Sequence, residues 1–101
     1  ESMNYEGRKI RISGEFETLE PITVTRACLD TNHHMNNARY VAVAMEYLPE
    51  NYRIHQIRVE YKHSARNGDI LIPKRQVKAG TIVVLLEKAG GEVCVITEFT
   101  E

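Results

Sequence analysis

The period of apolar positions changes repeatedly along this chain, and the changes mark its elements. Pro21 to Ala27 alternates β-branched and other residues, which predicts a first strand. Further on, Val41, Ala44, Met45 and Leu48 fall at i, i+3, i+4 and i+7, the single apolar stripe of a helix, with Tyr40 and Tyr47 flanking it. Asn36 or Asn37 is placed to cap that helix, because an Asn side chain accepts from its first free N–H groups. Pro49 pushes Leu48 out of helical dihedrals and ends it. Tyr52 to Ala65 reads as a long strand, in which Ile57, Val59 and Tyr61 alternate with Arg58, Glu60 and Lys62 to give one buried and one wetter face.

Asn67-Gly68-Asp69 is a hairpin turn signal. It leads into a strand from Ile70 to Lys78, where Pro73 implies an edge position or a bulge. Ala79-Gly80 turns the chain again, and Thr81–Glu87 and Glu92–Phe99 form a hairpin across Ala89-Gly90-Gly91. The order strand, helix, four strands is that of an α+β domain. Antiparallel pairing of the last four strands is expected, with the helix on one face. The glycines match turn chemistry, with no phosphate-loop pattern around them.

Composition narrows the class. A chain of 101 residues is one domain, able to bury about 60–65% of its unfolded surface. A formal charge of −1 argues against nucleic acid as the main partner, since phosphate binding needs a clear basic excess. No apolar run approaches the roughly 20 residues of a membrane span, and no signal-peptide pattern opens the chain. Cys28 and Cys94 lie far apart without CxxC spacing, which favours two buried, reduced thiols in a cytoplasmic protein.

The chemistry concentrates in Asp30-Thr31-Asn32-His33-His34-Met35-Asn36-Asn37, directly before the helix. Asp30, Asn32 and His34 sit at alternate positions, so an extended loop sends their side chains to one side. A carboxylate that orients or activates, an amide that holds a carbonyl or water, and an imidazole that titrates near neutrality suffice for water-mediated acyl transfer. Each residue also has a plainer use. Asp30 reads equally as a turn or capping carboxylate, Asn32 as a loop residue bonding its own backbone, and His34 as a surface loop histidine. His33 is read as solvent-facing. Asn36 and Asn37 would cap the helix and fix the loop. A zinc site from His33, His34, His55 and His63 is disfavoured, because adjacent histidines point apart in an extended segment and neither thiol has ligand spacing; no metal or cofactor is expected.

The same stretch resembles a family. Asp30, Asn32, His34, Met35, Asn36, Asn37 and Tyr40, then Leu48-Pro49 and Ile57-Arg58-Val59-Glu60-Tyr61-Lys62, are similar to the C-terminal half of the acyl-acyl-carrier-protein thioesterases. The upstream Lys9-Ile10 and the strand Ile22-Thr23-Val24 also fit. Those enzymes carry two tandem hotdog domains and release fatty acids in bacteria and plastids. The resemblance implies a hotdog fold, an antiparallel sheet wrapped around one long helix, over residues 21–101, with 1–20 as a linker or approach segment. It implies hydrolysis of fatty acyl thioesters. Asp30, Asn32 and His34 would be catalytic, with Asp30 either orienting water or His34 or attacking the thioester carbonyl itself, supported by Asn36, Asn37 and Tyr40. Acyl carrier protein would be the partner; Arg66, Lys74, Arg75 and Lys78 read first as a solvated face, and in the family reading as a basic one that could meet it. The chain does not begin with Met, which with the resemblance suggests an excised C-terminal half, completed by an N-terminal hotdog domain or as a homodimer; Glu1-Ser2 also reads as a tag scar.

One departure stands out. The family carries a catalytic Glu a few residues after its Glu-Tyr pair, and alignment on Glu60-Tyr61 puts Ser64 there, with His63 just before it. Ser supplies neither a carboxylate's charge nor a base at neutral pH, and Glu60 lies about 13 Å away along a strand. Three readings follow. The chemistry runs on Asp30, Asn32 and His34 alone, with Ser64 at the family's catalytic position, or this half has weakened activity, or another acid takes the role. Or the chain is a self-contained single-hotdog acyl-CoA thioesterase. Or it is a non-catalytic acyl-binding or structural half.

Overall fold

Five consecutive residues, Ile82 to Leu86, are buried, and this run fixes the middle of the sheet. The computed structural model describes residues 14–25, 29 and 35–101. Its elements are β1 (Glu17–Thr18), β2 (Ile22–Thr23), α1 (Asn37–Met45), β3 (Gln56–Tyr61), β4 (Ile70–Lys78), β5 (Thr81–Lys88) and β6 (Val93–Thr100). The sheet runs β1-β4-β5-β6-β3, with β2 also pairing β4, and every pairing is antiparallel. A strand buried on both faces reads as a continuous apolar run, as β5 does. Its Ile82, Val84 and Leu86 join Val95 and Phe99 of β6, Ile57 and Val59 of β3, and Tyr40 and Ala44 of α1 in the main core. Val83 and Leu85 point the other way, to Ile96 with Phe16 and Val93 against them. The helix lies across β5 and β6. One helix on an antiparallel sheet is the arrangement expected of a hotdog domain.

Several boundaries differ from the sequence expectation. The predicted strand Pro21–Ala27 is laddered only over Ile22–Thr23, although the Val24 N–H still donates to the Asp69 carbonyl at 2.8 Å. Arg26 and Ala27 lie outside the described residues. Part of the approach segment, Glu17–Thr18, pairs with Arg75 and Lys74. The long strand predicted over Tyr52–Ala65 shortens to Gln56–Tyr61. Asn67-Gly68 is a turn, closed by Asp69 N–H to the Arg66 carbonyl at 3.0 Å, but not a hairpin, because β3 pairs β6 at one end of the sheet while β4 stands beyond β5. A turn signal is local, and which strands flank it is settled by where their apolar faces pack.

Pro73 sits in a gap between the two short strands, whose registers stop at Lys74 on one side and Leu71 on the other. Its carbonyl accepts from Leu19 N–H at 2.8 Å, so its nitrogen also faces that edge and the missing donor costs the β5 ladder nothing.

The helix is shorter and rotated relative to its predicted stripe. It covers nine residues, after which Glu46, Tyr47 and Leu48 donate to carbonyls three residues back, a tightened end ahead of Pro49. Tyr40 and Ala44 are its buried residues, whereas Met45 is 43% exposed. Every residue from Tyr40 to Met45 is apolar or aromatic, so spacing alone does not select the face. Replacing Leu86 with Ala should cost about 2–5 kcal/mol of unfolding free energy. Val77→Ala, at a position 62% exposed, should cost less than about 0.5 kcal/mol. Urea titration compares them, and equal losses would contradict this placement of the core.

Candidate active site

The start of α1 and the end of β3 converge. Asn36 is the N-cap, extended at φ −64 and ψ 140, and its Oδ1 accepts from Ala38 N–H at 2.8 Å. This is the capping role expected of the Asn pair. Asn37 opens the helix, and its carbonyl accepts from the Tyr61 hydroxyl at 3.3 Å. One turn on, Tyr40 is 2% exposed and its hydroxyl accepts from Ala65 N–H at 2.8 Å. The Tyr40 and Tyr61 rings lie 6.1 Å apart, tilted by 56°. Burial raises the Tyr40 pKa above its ordinary value, so this phenol stays neutral.

A bulge re-aims the strand end. The N–H groups of Lys62 and His63 both donate to the Cys94 carbonyl, at 2.8 and 3.3 Å. Two successive donors on one acceptor mark a β-bulge, which breaks the alternation of side chains. Cys94 is itself the unpaired residue where β6 shifts register against β5 between Leu86 and Glu87. Beyond the bulge, Ser64 lines a cleft of about 90 Å³ with Asn37, Tyr40, Tyr61, Lys62 and His63. Three residues singled out from sequence, Asn37, Tyr40 and Ser64, therefore meet at one cleft. Tyr61, Lys62 and His63 also line it; the sequence placed Tyr61 and Lys62 on the strand and His63 beside Ser64, but gave none of them a part in the site.

Asp30, Asn32, His33 and His34 lie outside the described residues, as does Cys28. The flanks of that stretch are described. Leu29 and Met35 form an isolated antiparallel bridge, and Met35 N–H donates to the Ala65 carbonyl at 3.2 Å. Cys94 is buried and its thiol is pushed up by desolvation, so it is held protonated and is no nucleophile. His55 and His63 stand at opposite ends of β3, and no cluster of three potential metal ligands forms among the described residues.

Two of the four cations that could form a basic face, Lys74 and Arg75, are already engaged. Lys74 pairs with Glu87 at 3.1 Å, while Arg75 pairs with Glu17 at 2.7 Å and donates to the Tyr47 carbonyl at the helix end. Neighbouring residues on a strand point to opposite faces, so Lys74 and Arg75 serve different sides of β4.

The fold is that of a hotdog domain, one helix on an antiparallel sheet. The family model for the acyl-ACP thioesterase C-terminal domain matches residues 13–97, and the chain belongs to that family. An acyl-ACP thioesterase from Bacteroides thetaiotaomicron superposes with a TM-score of 0.76 at 21% identity, over 94% of this chain and 43% of that one. This chain thus spans less than half the length of that protein. A Streptococcus mutans protein bound to acetyl CoA superposes at 0.70 with 13% identity, over 91% and 90% of the two chains. A hypothetical thioesterase with coenzyme A from Streptococcus pneumoniae gives 0.68 at 13% identity, over 85% and 83%. The comparison with curated proteins gave no significant match.

Tyr40→Phe keeps the ring and removes the acceptor of a buried N–H, so it should cost about 1–3 kcal/mol. Tyr61→Phe, which loses a longer and more exposed bond, should cost less than about 1 kcal/mol. Thermal unfolding of both variants checks the order; a harmless Tyr40→Phe would mean that this hydroxyl does not hold Ala65.

Proposed function

We propose that this chain is the C-terminal hotdog half of an enzyme that hydrolyses fatty acyl thioesters carried on acyl carrier protein. The observation that carries the reading is the Met35–Ala65 hydrogen bond beside the Ser64 cleft. His34 directly precedes Met35, about 3.8 Å away from Cα to Cα, so the motif runs up to a residue anchored at that cleft. In the proposed reaction, His34 takes a proton from a water oriented by Asp30. The water oxygen attacks the thioester carbonyl carbon. Asn32 and N–H groups at the start of α1 hold the resulting oxyanion, where the helix dipole favours negative charge. The intermediate collapses, the C–S bond breaks, and His34 returns the proton to the leaving thiolate, giving a fatty acid and the carrier thiol. Asn36, Asn37 and Tyr40 hold the frame, and Ser64 lines the reacting face.

Coenzyme A is the second candidate for the thiol, because two proteins of similar fold were solved with CoA or acetyl CoA. Measuring free thiol released from acyl carrier protein and from CoA, each loaded with the same acyl group, separates the substrates. A cytoplasmic location is part of the proposal; among the described residues no helix is long and apolar enough to cross a membrane.

The site also has unpartnered borders. Among the described strands β3 pairs on one side only, and α1 leaves Ala38, Ala42 and Met45 exposed. We assign these borders to an N-terminal hotdog domain, or in its absence to a second copy of the chain, since an open edge and an apolar flank favour pairing. The chain as given is therefore expected to form a homodimer. Light scattering that found a monomer at high micromolar concentration would overturn this.

In the full-length protein, Asp30→Asn and His34→Ala should each lower turnover by about 10²–10⁴-fold, the usual worth of positioned acid–base groups. Their unfolding midpoints should barely move. Losses below about tenfold in folded variants would return both residues to turn and capping duty.

A further inference from the structure

We propose that Asn67 is a deamidation site, and that the hold of Val24 on the turn around it sets the rate of that modification. Of the six asparagines in the chain, only Asn67 precedes a glycine. Both residues of the pair are exposed, and Gly68 has no side chain to shield its nitrogen. The reaction needs only water and base. The Gly68 backbone nitrogen gives up its proton to solvent and attacks Asn67 Cγ. A bond from that nitrogen to Cγ forms, the bond from Cγ to Nδ2 breaks, and the side-chain nitrogen takes a proton from water and leaves as ammonia. Water then opens the resulting succinimide at one of its two carbonyls. One opening leaves aspartate. The other leaves isoaspartate, whose main chain runs through the former side chain and is longer by a methylene group.

In the folded chain that nitrogen is already committed. Gly68 N–H donates to the Val24 carbonyl at 2.9 Å, and Val24 N–H donates to the Asp69 carbonyl at 2.8 Å. Asp69 N–H closes the turn on the Arg66 carbonyl at 3.0 Å, while the Asp69 carboxylate accepts from Arg66 N–H at 2.8 Å and faces Lys88 at 3.5 Å. Removing the Gly68 proton forfeits the bond to Val24, and swinging the nitrogen onto Asn67 breaks the line of the peptide. Modification therefore proceeds through local opening of this turn, and its rate follows the open fraction. The product does not rebuild what was opened. Either outcome sets a new carboxylate close to Asp69, where like charges repel. Isoaspartate also lengthens the path between Arg66 and Asp69, whose closing bond fits a turn of ordinary length. The turn directly follows Ala65, so its loosening reaches the residue that joins Tyr40 to Met35.

The test incubates the whole chain at mildly alkaline pH, folded and in denaturing guanidinium chloride. Mass spectrometry of the peptide covering Asn67 follows the exchange of amide for acid, with the other asparagines as internal comparison. Asn67 should be modified about tenfold or more slowly in the folded chain, because two backbone bonds, each worth a factor of a few, must open first. Asp69→Ala removes the cap on Arg66 N–H and the contact with Lys88. It should raise the folded-state rate about threefold to tenfold and leave the rate in guanidinium unchanged. Lys88→Gln, a milder loosening, should give an intermediate rate. Asn67→Ser should abolish the signal, and with it the slow fall in unfolding midpoint that the wild type shows as it is modified. Equal rates in the folded and unfolded wild type would overturn the control by the turn, as would a folded-state rate that neither Asp69→Ala nor Lys88→Gln changes. Absence of modification at Asn67 in guanidinium would overturn the site itself.

Discussion

Ala65 is held from both sides, and the geometry of the site depends on that. Its N–H donates to the Tyr40 hydroxyl and its carbonyl accepts from Met35 N–H. One partner stands on the helix and the other is Met35, so a single buried residue registers the helix, Met35 and the strand end against one another. Its burial is complete. A buried peptide group left unpaired costs about 1–3 kcal/mol, so both bonds are strongly favoured over their loss. The turn behind it is tied just as closely. Asp69 caps Arg66, and Val24 exchanges bonds with Gly68 and Asp69.

What positions this anchor is apolar burial rather than charge. The ion pairs Arg58–Glu98, Lys74–Glu87 and Arg75–Glu17 lie on partly exposed side chains. Pairs of that kind contribute about 0–1 kcal/mol each. The continuous run in β5, by contrast, buries apolar side chains on both faces and fixes the strands beside it. With the middle of the sheet settled, β3 takes its place beyond β6, and its C-terminal end arrives under the first turn of α1. Just beyond the bulge at Lys62 and His63, Ser64 lines the cleft. The cleft therefore lies at a local departure from regular pairing, supported by a regular core.

Much of this was legible in the chain itself. The strands of β4, β5 and β6 lie within a residue of their predicted limits, because a run such as Ile82-Val83-Val84-Leu85-Leu86 between glycine turns has few other uses. The Asn36 cap was legible for the same reason, as it follows from backbone chemistry within one turn of helix, whereas the helix itself stops at Met45, short of the expected end at Leu48. The polar identities from Asp30 to Tyr40 pointed to the family, and the match over residues 13–97 bears that out. Tertiary structure decided the rest. Which side of an almost wholly apolar helix faces inward depends on the sheet it meets, and Tyr40 rather than Met45 found a buried partner. The pairing of β3 with β6 depends on long-range packing that no turn signal encodes. The bulge depends on a carbonyl contributed by Cys94, more than thirty residues further along the chain, and so it leaves no local trace in the sequence.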